Sequence, residues 1–174
     1  MLFTESDFVP PAGDTFSPVP TEDFVRVIAV RKNHRKIPLS RARHVIGTFS
    51  PRPGHPRVDF ESLLERSALI ALARLPECLS VMSQPFTIDY EYRNRSYRYT
   101  PDILVVLKPV PHSLLLGGFR KYTAIEVKPD DRACLWKGRL PQRREAVLRG
   151  MQMPLIVLGE KAIAGLKGSK HHGS

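Results

Sequence analysis

Two short apolar runs carry charges where a buried strand ordinarily carries none. Tyr99-Thr100-Pro101-Asp102-Ile103-Leu104-Val105-Val106-Leu107 and Ala124-Ile125-Glu126-Val127-Lys128-Pro129 are rich in β-branched and aliphatic residues and are bounded by Pro or Gly. Both read as buried strands. Side chains alternate across a strand, so Glu126 and Lys128 share one face while Ile125 and Val127 share the other. Asp102 stands at the start of the first strand, and pairing of the two strands brings its carboxylate toward Glu126. Carboxylates about 4 Å apart repel by roughly 4 kcal/mol at an effective dielectric near 20. A divalent cation removes that penalty. Mg²⁺ suits the position, being a hard ion commonly held by one or two carboxylates together with phosphate oxygens, and Lys128 would face the same phosphate.

At 174 residues the chain can bury one good core, so one domain is expected. Its formal charge of +10 points to a polyanionic partner, because basic side chains neutralise phosphates and release counterions. The two cysteines, Cys78 and Cys134, lack metal-site spacing and read as free thiols of a reducing compartment. With no apolar run of membrane-spanning length and no signal-peptide pattern, the expectation is a soluble, cytoplasmic, nucleoid-associated protein with no membrane partner and no small-molecule substrate.

Along the chain, residues 1–23 mix prolines with Glu5, Asp7, Asp14, Glu22 and Asp23 without periodicity and read as a disordered acidic arm. The folded domain is expected over 24–160. Its first part, Phe24 to Val58, holds Arg26, Arg31, Lys32, Arg35, Lys36, Arg41, Arg43, Arg52 and Arg57 with no acid among them, and these are the candidate DNA-phosphate contacts. Val25 to Val30 reads as an edge strand, and Ile46 to Phe49 as a strand end before a turn. Phe60 to Leu75 is the best helix, with Asp59 as N-cap and Pro76 as its stop, and Glu61 and Glu65 on one face. Their carboxylates need partners, with Arg66, a metal or a surface ion pair as the alternatives. Phe86–Tyr92 and Ser96–Thr100 read as a hairpin about Arg93-Asn94-Arg95, its tyrosines paired across the strands. Lys108 to Gly118 reads as a loop, Pro141 as a helix start, Met153 to Gly159 as a last buried strand, and 161–174 as a flexible tail.

The pair Pro101-Asp102 followed by Glu126-Val127-Lys128 resembles the PD-(D/E)-x-K signature of the restriction-endonuclease-like superfamily. Together with Arg57-Val58-Asp59-Phe60-Glu61-Ser62-Leu63-Leu64-Glu65-Arg66, Gln84-Pro85-Phe86-Thr87-Ile88 and Tyr97-Arg98-Tyr99-Thr100, in that order, it resembles the N-terminal nuclease domain of TnsA-type transposon endonucleases over about residues 25–158. The resemblance implies an α/β restriction-endonuclease-like fold, a mixed central sheet flanked by helices. It implies catalytic Glu65, Asp102, Glu126 and Lys128, with the three acids holding Mg²⁺ or alternatively Mn²⁺, and Glu61 as the fallback acid. It also implies DNA and a transposase subunit as partners, although the C-terminal domain that commonly engages the transposase is not matched here. The function expected is metal-dependent cleavage of DNA phosphodiesters at transposon ends. A stand-alone restriction or repair nuclease and a non-catalytic DNA-bridging subunit are the alternatives.

Overall fold

The computed structural model of the chain describes residues 24–32, 46–51, 56–132 and 138–168. In chain order the elements are strands β1 (Arg26–Lys32), β2 (Gly47–Phe49) and β3 (Val58–Phe60), helix α1 (Leu63–Ala73), and strands β4 (Cys78–Ser83), β5 (Phe86–Tyr92), β6 (Arg95–Tyr99) and β7 (Ile103–Leu107). Helix α2 (His112–Leu116), strand β8 (Tyr122–Val127), helix α3 (Leu140–Met151), strand β9 (Leu155–Leu158) and helix α4 (Glu160–Gly168) complete a mixed α/β architecture. A four-stranded sheet in the order β4-β7-β8-β9 is antiparallel except for the parallel pair β8 and β9.

Strands enclosed on both faces must be apolar throughout, and β7 is buried at every position. Ile103, Val105, Leu107, Ile125 and Val127 pack with Ala68, Leu69 and Leu72 of α1 and Ile163 of α4. The alternate residues Leu104, Ala124 and Leu155 pack with Ala146, Val147 and Met151 of α3 and with Phe86, Ile88, Tyr90 and Tyr99 of a second sheet, β1-β5-β6. The four-stranded sheet is thus a middle layer. β1 is an edge strand, as its short apolar run suggests.

The hairpin between β5 and β6 turns on Arg93 and Asn94, both with positive φ (50° and 57°), the geometry that matches strand twist in a two-residue turn. Tyr90 lies opposite Tyr97 with ring centroids 5.5 Å apart, so the expected cross-strand pairing forms. Cys78 is a buried thiol that donates to the Ser80 carbonyl oxygen at 3.6 Å, whereas Cys134 lies outside the described residues, as do residues 1–23.

Three local expectations change. Helix α1 begins later than its apolar spacing suggests: Asp59 and Phe60 belong to β3, and the N-cap is Ser62, whose Oγ accepts the Glu65 N–H at 3.1 Å. Ser-Leu-Leu-Glu has capping-box spacing, with Glu65 reaching back to the Glu61 N–H, and it outcompetes Asp59 because Asp59 is engaged in pairing with Thr48. The loop expected before β8 contains the short helix α2. Residues from 160 to 168, where a flexible tail is expected from 161 onward, form α4 with Ile163 buried against the core. No helix among the described residues is long and apolar enough to cross a membrane.

Helix α4 is held by a tertiary cap. Asp130 Oδ2 accepts the Lys161 N–H at 3.1 Å, and Glu160 Oε2 accepts the Asp130 N–H at 2.6 Å. The close approach needs glycine at 159, where a Cβ would lie 1.8 Å from Asp130 Oδ1 and 3.3 Å from the Lys128 carbonyl oxygen. Gly159→Ala should therefore lower stability in urea unfolding by about 1–3 kcal/mol. Combining it with Asp130→Ala should cost less than the sum of the two single changes, because the second substitution removes the clash. Strict additivity would show that Asp130 is not what the methyl group meets.

Candidate active site

The register of β7 and β8 sets Ile103 opposite Ile125, and one further step sets Asp102 against Glu126. Lys128, just past the end of β8, closes the group: its Nζ lies 3.1 Å from Glu126 Oε1 and 3.7 Å from Asp102 Oδ2. Asp102 Oδ2 also accepts the Val127 N–H at 2.8 Å, which anchors the carboxyl to the backbone between Glu126 and Lys128. The Lys128 N–H in turn donates to the Leu158 carbonyl at 3.1 Å, so β9 and the Asp130 cap fix the chain that carries the ammonium.

Glu126 is only 3% exposed. A carboxylate so placed needs compensation, and it receives it from several directions. Tyr99 Oη donates to Oε2 at 2.6 Å, and Arg143 of α3 lies 3.5 Å from Oε1. Arg143 also stacks over the Tyr99 ring, 4.7 Å from its centroid. Burial and the Glu126 charge push the Tyr99 phenol far upward, so it stays a proton donor. Asp102 is pushed up to about 7, first by burial and then by the Glu126 charge, against the opposing pull of Lys128 and the Val127 N–H. The Asp102 and Lys128 side chains are each about a fifth exposed, at 20% and 21%, while that of Glu126 is 4%, so a ligand reaches the group from the Asp102 and Lys128 side.

Residues 75–149 match the family model described as TnsA-like endonuclease N terminal. The TnsA-type resemblance is borne out over that stretch. It takes in Asp102, Glu126 and Lys128, and also Gln84, Tyr99 and Arg143, and it points to a nuclease role related to transposition with DNA as substrate. No curated protein matches the chain.

Around the TnsA-like stretch the remaining candidate acids are placed differently. Glu65 belongs to the cap of α1: its Oε2 accepts the Glu61 N–H at 2.9 Å and its Oε1 accepts the Ser62 hydroxyl at 3.1 Å. Its charge nonetheless reaches Asp102 and adds to the upward push there. Glu61 lies before the helix and accepts the Gln84 amide at 2.8 Å, so Gln84 and the helix cap, rather than Arg66, partner these acids. Gln84 is left-handed (φ 43°), and its own N–H donates to the Asp102 carbonyl at 2.8 Å, which links the start of α1 to the Asp102 turn. Among the described residues no three Asp, Glu, His or Cys side chains gather as a ready cage for a metal ion. The structure therefore brings Asp102, Glu126 and Lys128 together and leaves Glu65 and Glu61 at the margin.

Of the candidate DNA contacts, Arg26 pairs with Glu91 and Arg31 with Asp89, both at 2.5 Å, and Asp89 also pairs with Arg98 at 2.7 Å. Lys32 and Arg57 are exposed. Arg35, Lys36, Arg41, Arg43 and Arg52 lie outside the described residues. Tyr99, Arg143 and Gln84 are site neighbours that sequence reasoning passed over. Tyr99 sat in a hairpin pattern and Arg143 in a basic helix, and only the tertiary pairing turns either toward Glu126.

A carboxyl that titrates near 7 when folded and near 3.8 when unfolded retains a proton that the unfolded chain has released. The metal-free protein should accordingly lose stability as pH rises from about 4 to about 7. Thermal unfolding in a chelator across that range should show the slope, and Asp102→Asn, which keeps an acceptor for the Val127 N–H, should flatten it. An unchanged slope in the variant would place the retained proton elsewhere.

Proposed function

We propose that the chain is a Mg²⁺-dependent DNA endonuclease of restriction-endonuclease-like fold, acting as the nuclease subunit of a heteromeric transposase that cuts phosphodiesters at transposon ends. The observation that carries this reading is the convergence of Asp102, Glu126 and Lys128 on adjoining ends of β7 and β8, inside the stretch that matches the TnsA-like endonuclease family. The mixed sheet with helices on both faces supports the fold assignment.

The donor chemistry fits a hard divalent cation. Asp102 and Glu126 offer carboxylate oxygens, and burial together with the neighbouring Glu126 charge raises the titration of Asp102, a cost that a cation between the two acids would relieve. These two acids would hold Mg²⁺, or Mn²⁺ in its place, with Glu65 as the outlying third acid. When bound, the ion supplies a water of lowered pKa and offsets charge on the phosphate. Lys128, an ammonium beside Glu126, would orient that water and stabilise the charge that develops on the phosphoryl oxygens. Tyr99 fixes the far oxygen of Glu126, so the near one keeps its direction. Lys32, Arg57 and the ion-paired Arg26 and Arg31 give salt-sensitive affinity for the DNA backbone, joined by the basic residues between 33 and 55. The transposase partner and the cytoplasmic, nucleoid-associated location belong to the same reading.

Nicking of supercoiled plasmid tests it. Wild type should nick with Mg²⁺ and not with a chelator, and Asp102→Ala should abolish the reaction. Lys128→Ala should slow it on the order of 10²-fold or more while leaving DNA affinity nearly intact. Retained DNA binding with no nicking under any condition, including with a co-encoded transposase, would favour a non-catalytic bridging subunit.

The helix acid has its own test. A glutamine can complete a capping box, so Glu65→Gln should change stability by less than about 1 kcal/mol. If Glu65 serves the metal, the same substitution should still reduce nicking at limiting Mg²⁺, whereas Glu61→Gln should leave it largely unchanged. The reverse pattern would transfer the role to Glu61.

A further inference from the structure

Arg143 approaches the same Glu126 oxygen as Lys128, at 3.5 Å against 3.1 Å. It comes from the first turns of α3, and the β5–β6 hairpin braces it: the guanidinium stacks on the Tyr99 ring. Its side chain is 14% exposed. A guanidinium does not shed its proton, so one held this dry needs a counter-charge, and Glu126 supplies it. Fully ionised, Asp102 and Glu126 carry two negative charges, which Lys128 and Arg143 balance. With both acids ionised, a divalent cation entering the DNA-free site meets charges already balanced and a positive neighbour beside one of its ligands. Arg143 is the looser of the two cations on Glu126, its contact lying beyond ordinary hydrogen-bond length. Stacked on a ring, it keeps its in-plane N–H groups directed at acceptors such as phosphate, which matches a planar fork better than a point charge.

We infer that Arg143 is a phosphate-binding residue that also gates the metal: in the DNA-free protein it holds Glu126 and weakens divalent-cation binding, and a DNA phosphate that takes the guanidinium gives Glu126 back to the cation. The inference rests on the nuclease reading above and adds coupling between DNA and metal at one residue.

The test is Mn²⁺ binding, followed by the resonance of the free ion, with and without a short duplex and before cleavage proceeds. Asp102→Ala serves as the blank for ions held by the DNA itself. Wild type should bind Mn²⁺ at least about tenfold more tightly with DNA than without it. Arg143→Gln should bind Mn²⁺ about tenfold more tightly than wild type in the absence of DNA, gain less when DNA is added, and still nick more slowly at saturating metal. Arg143→Lys, which keeps the charge but not the fork, should match wild type in DNA-free Mn²⁺ affinity and recover only part of the nicking rate. A merely structural role would lower metal affinity, nicking and stability together. If the DNA-free affinity of Arg143→Gln is unchanged or weaker while wild type nicks DNA, the gating inference is overturned and the nuclease reading stands. Absence of any Asp102-dependent Mn²⁺ binding, with or without DNA, overturns both.

Discussion

The structure depends on how a carboxylate is kept in the middle of a dry strand. Glu126 follows Ile125 and precedes Val127 in β8, which is buried from Thr123 onward, and an uncompensated charge there would be prohibitive. Compensation comes from three elements. The hairpin brings the Tyr99 hydroxyl, α3 brings Arg143, and the end of β8 brings Lys128. Removing any one partner leaves a charge that the others cannot fully satisfy, so these contacts tie the second sheet and α3 to the central sheet more specifically than apolar packing does.

That dependence explains features that otherwise look unrelated. The hairpin stacks Tyr90 on Tyr97, and its Tyr99 ring supports a guanidinium. The glycine at 159 and the Asp130 cap of α4 lie on the chain immediately after Lys128, so the stability of the last helix bears on where the ammonium sits. Gln84 takes a left-handed conformation to bond Glu61 through its side chain and Asp102 through its backbone. An unfavourable backbone at one residue is offset by connecting the start of α1 to the turn that presents the aspartate.

The strands β7, β8 and β9 and the hairpin were legible because each is short, apolar or alternating, and punctuated by Pro, Gly or a polar turn. The meeting of Asp102 with Glu126 was legible for the same reason, since period-two alternation and an antiparallel register leave few other arrangements. What surrounds Glu126 was not, because Tyr99 and Arg143 are separated from it in sequence and carry no local pattern that distinguishes a site residue from a packed hairpin or a solvated helix face. Nor was the fate of Glu65, since the same Ser-x-x-Glu spacing serves a capping box and a metal-binding acid. Nor were the partners of the acid-free basic segment: β1 pairs with β5, and Glu91 and Asp89 on that partner strand, distant in sequence, engage Arg26 and Arg31.

Those surface pairs bear on how DNA would be held. Exposed ion pairs contribute little, with a median of about 0–1 kcal/mol, so exchanging Glu91 or Asp89 for a phosphate costs Arg26 or Arg31 almost nothing. The guanidinium at Glu126 is different, because its exchange happens in a dry environment where an unbalanced charge is expensive. Contacts on the outer sheet can therefore supply affinity without selectivity for the state of the site, whereas Arg143 can move to a phosphate only if something else neutralises Glu126. A divalent cation is the chemical species that does so, and the requirement runs both ways by linkage: whatever draws Arg143 away favours the cation, and the cation favours whatever draws Arg143 away.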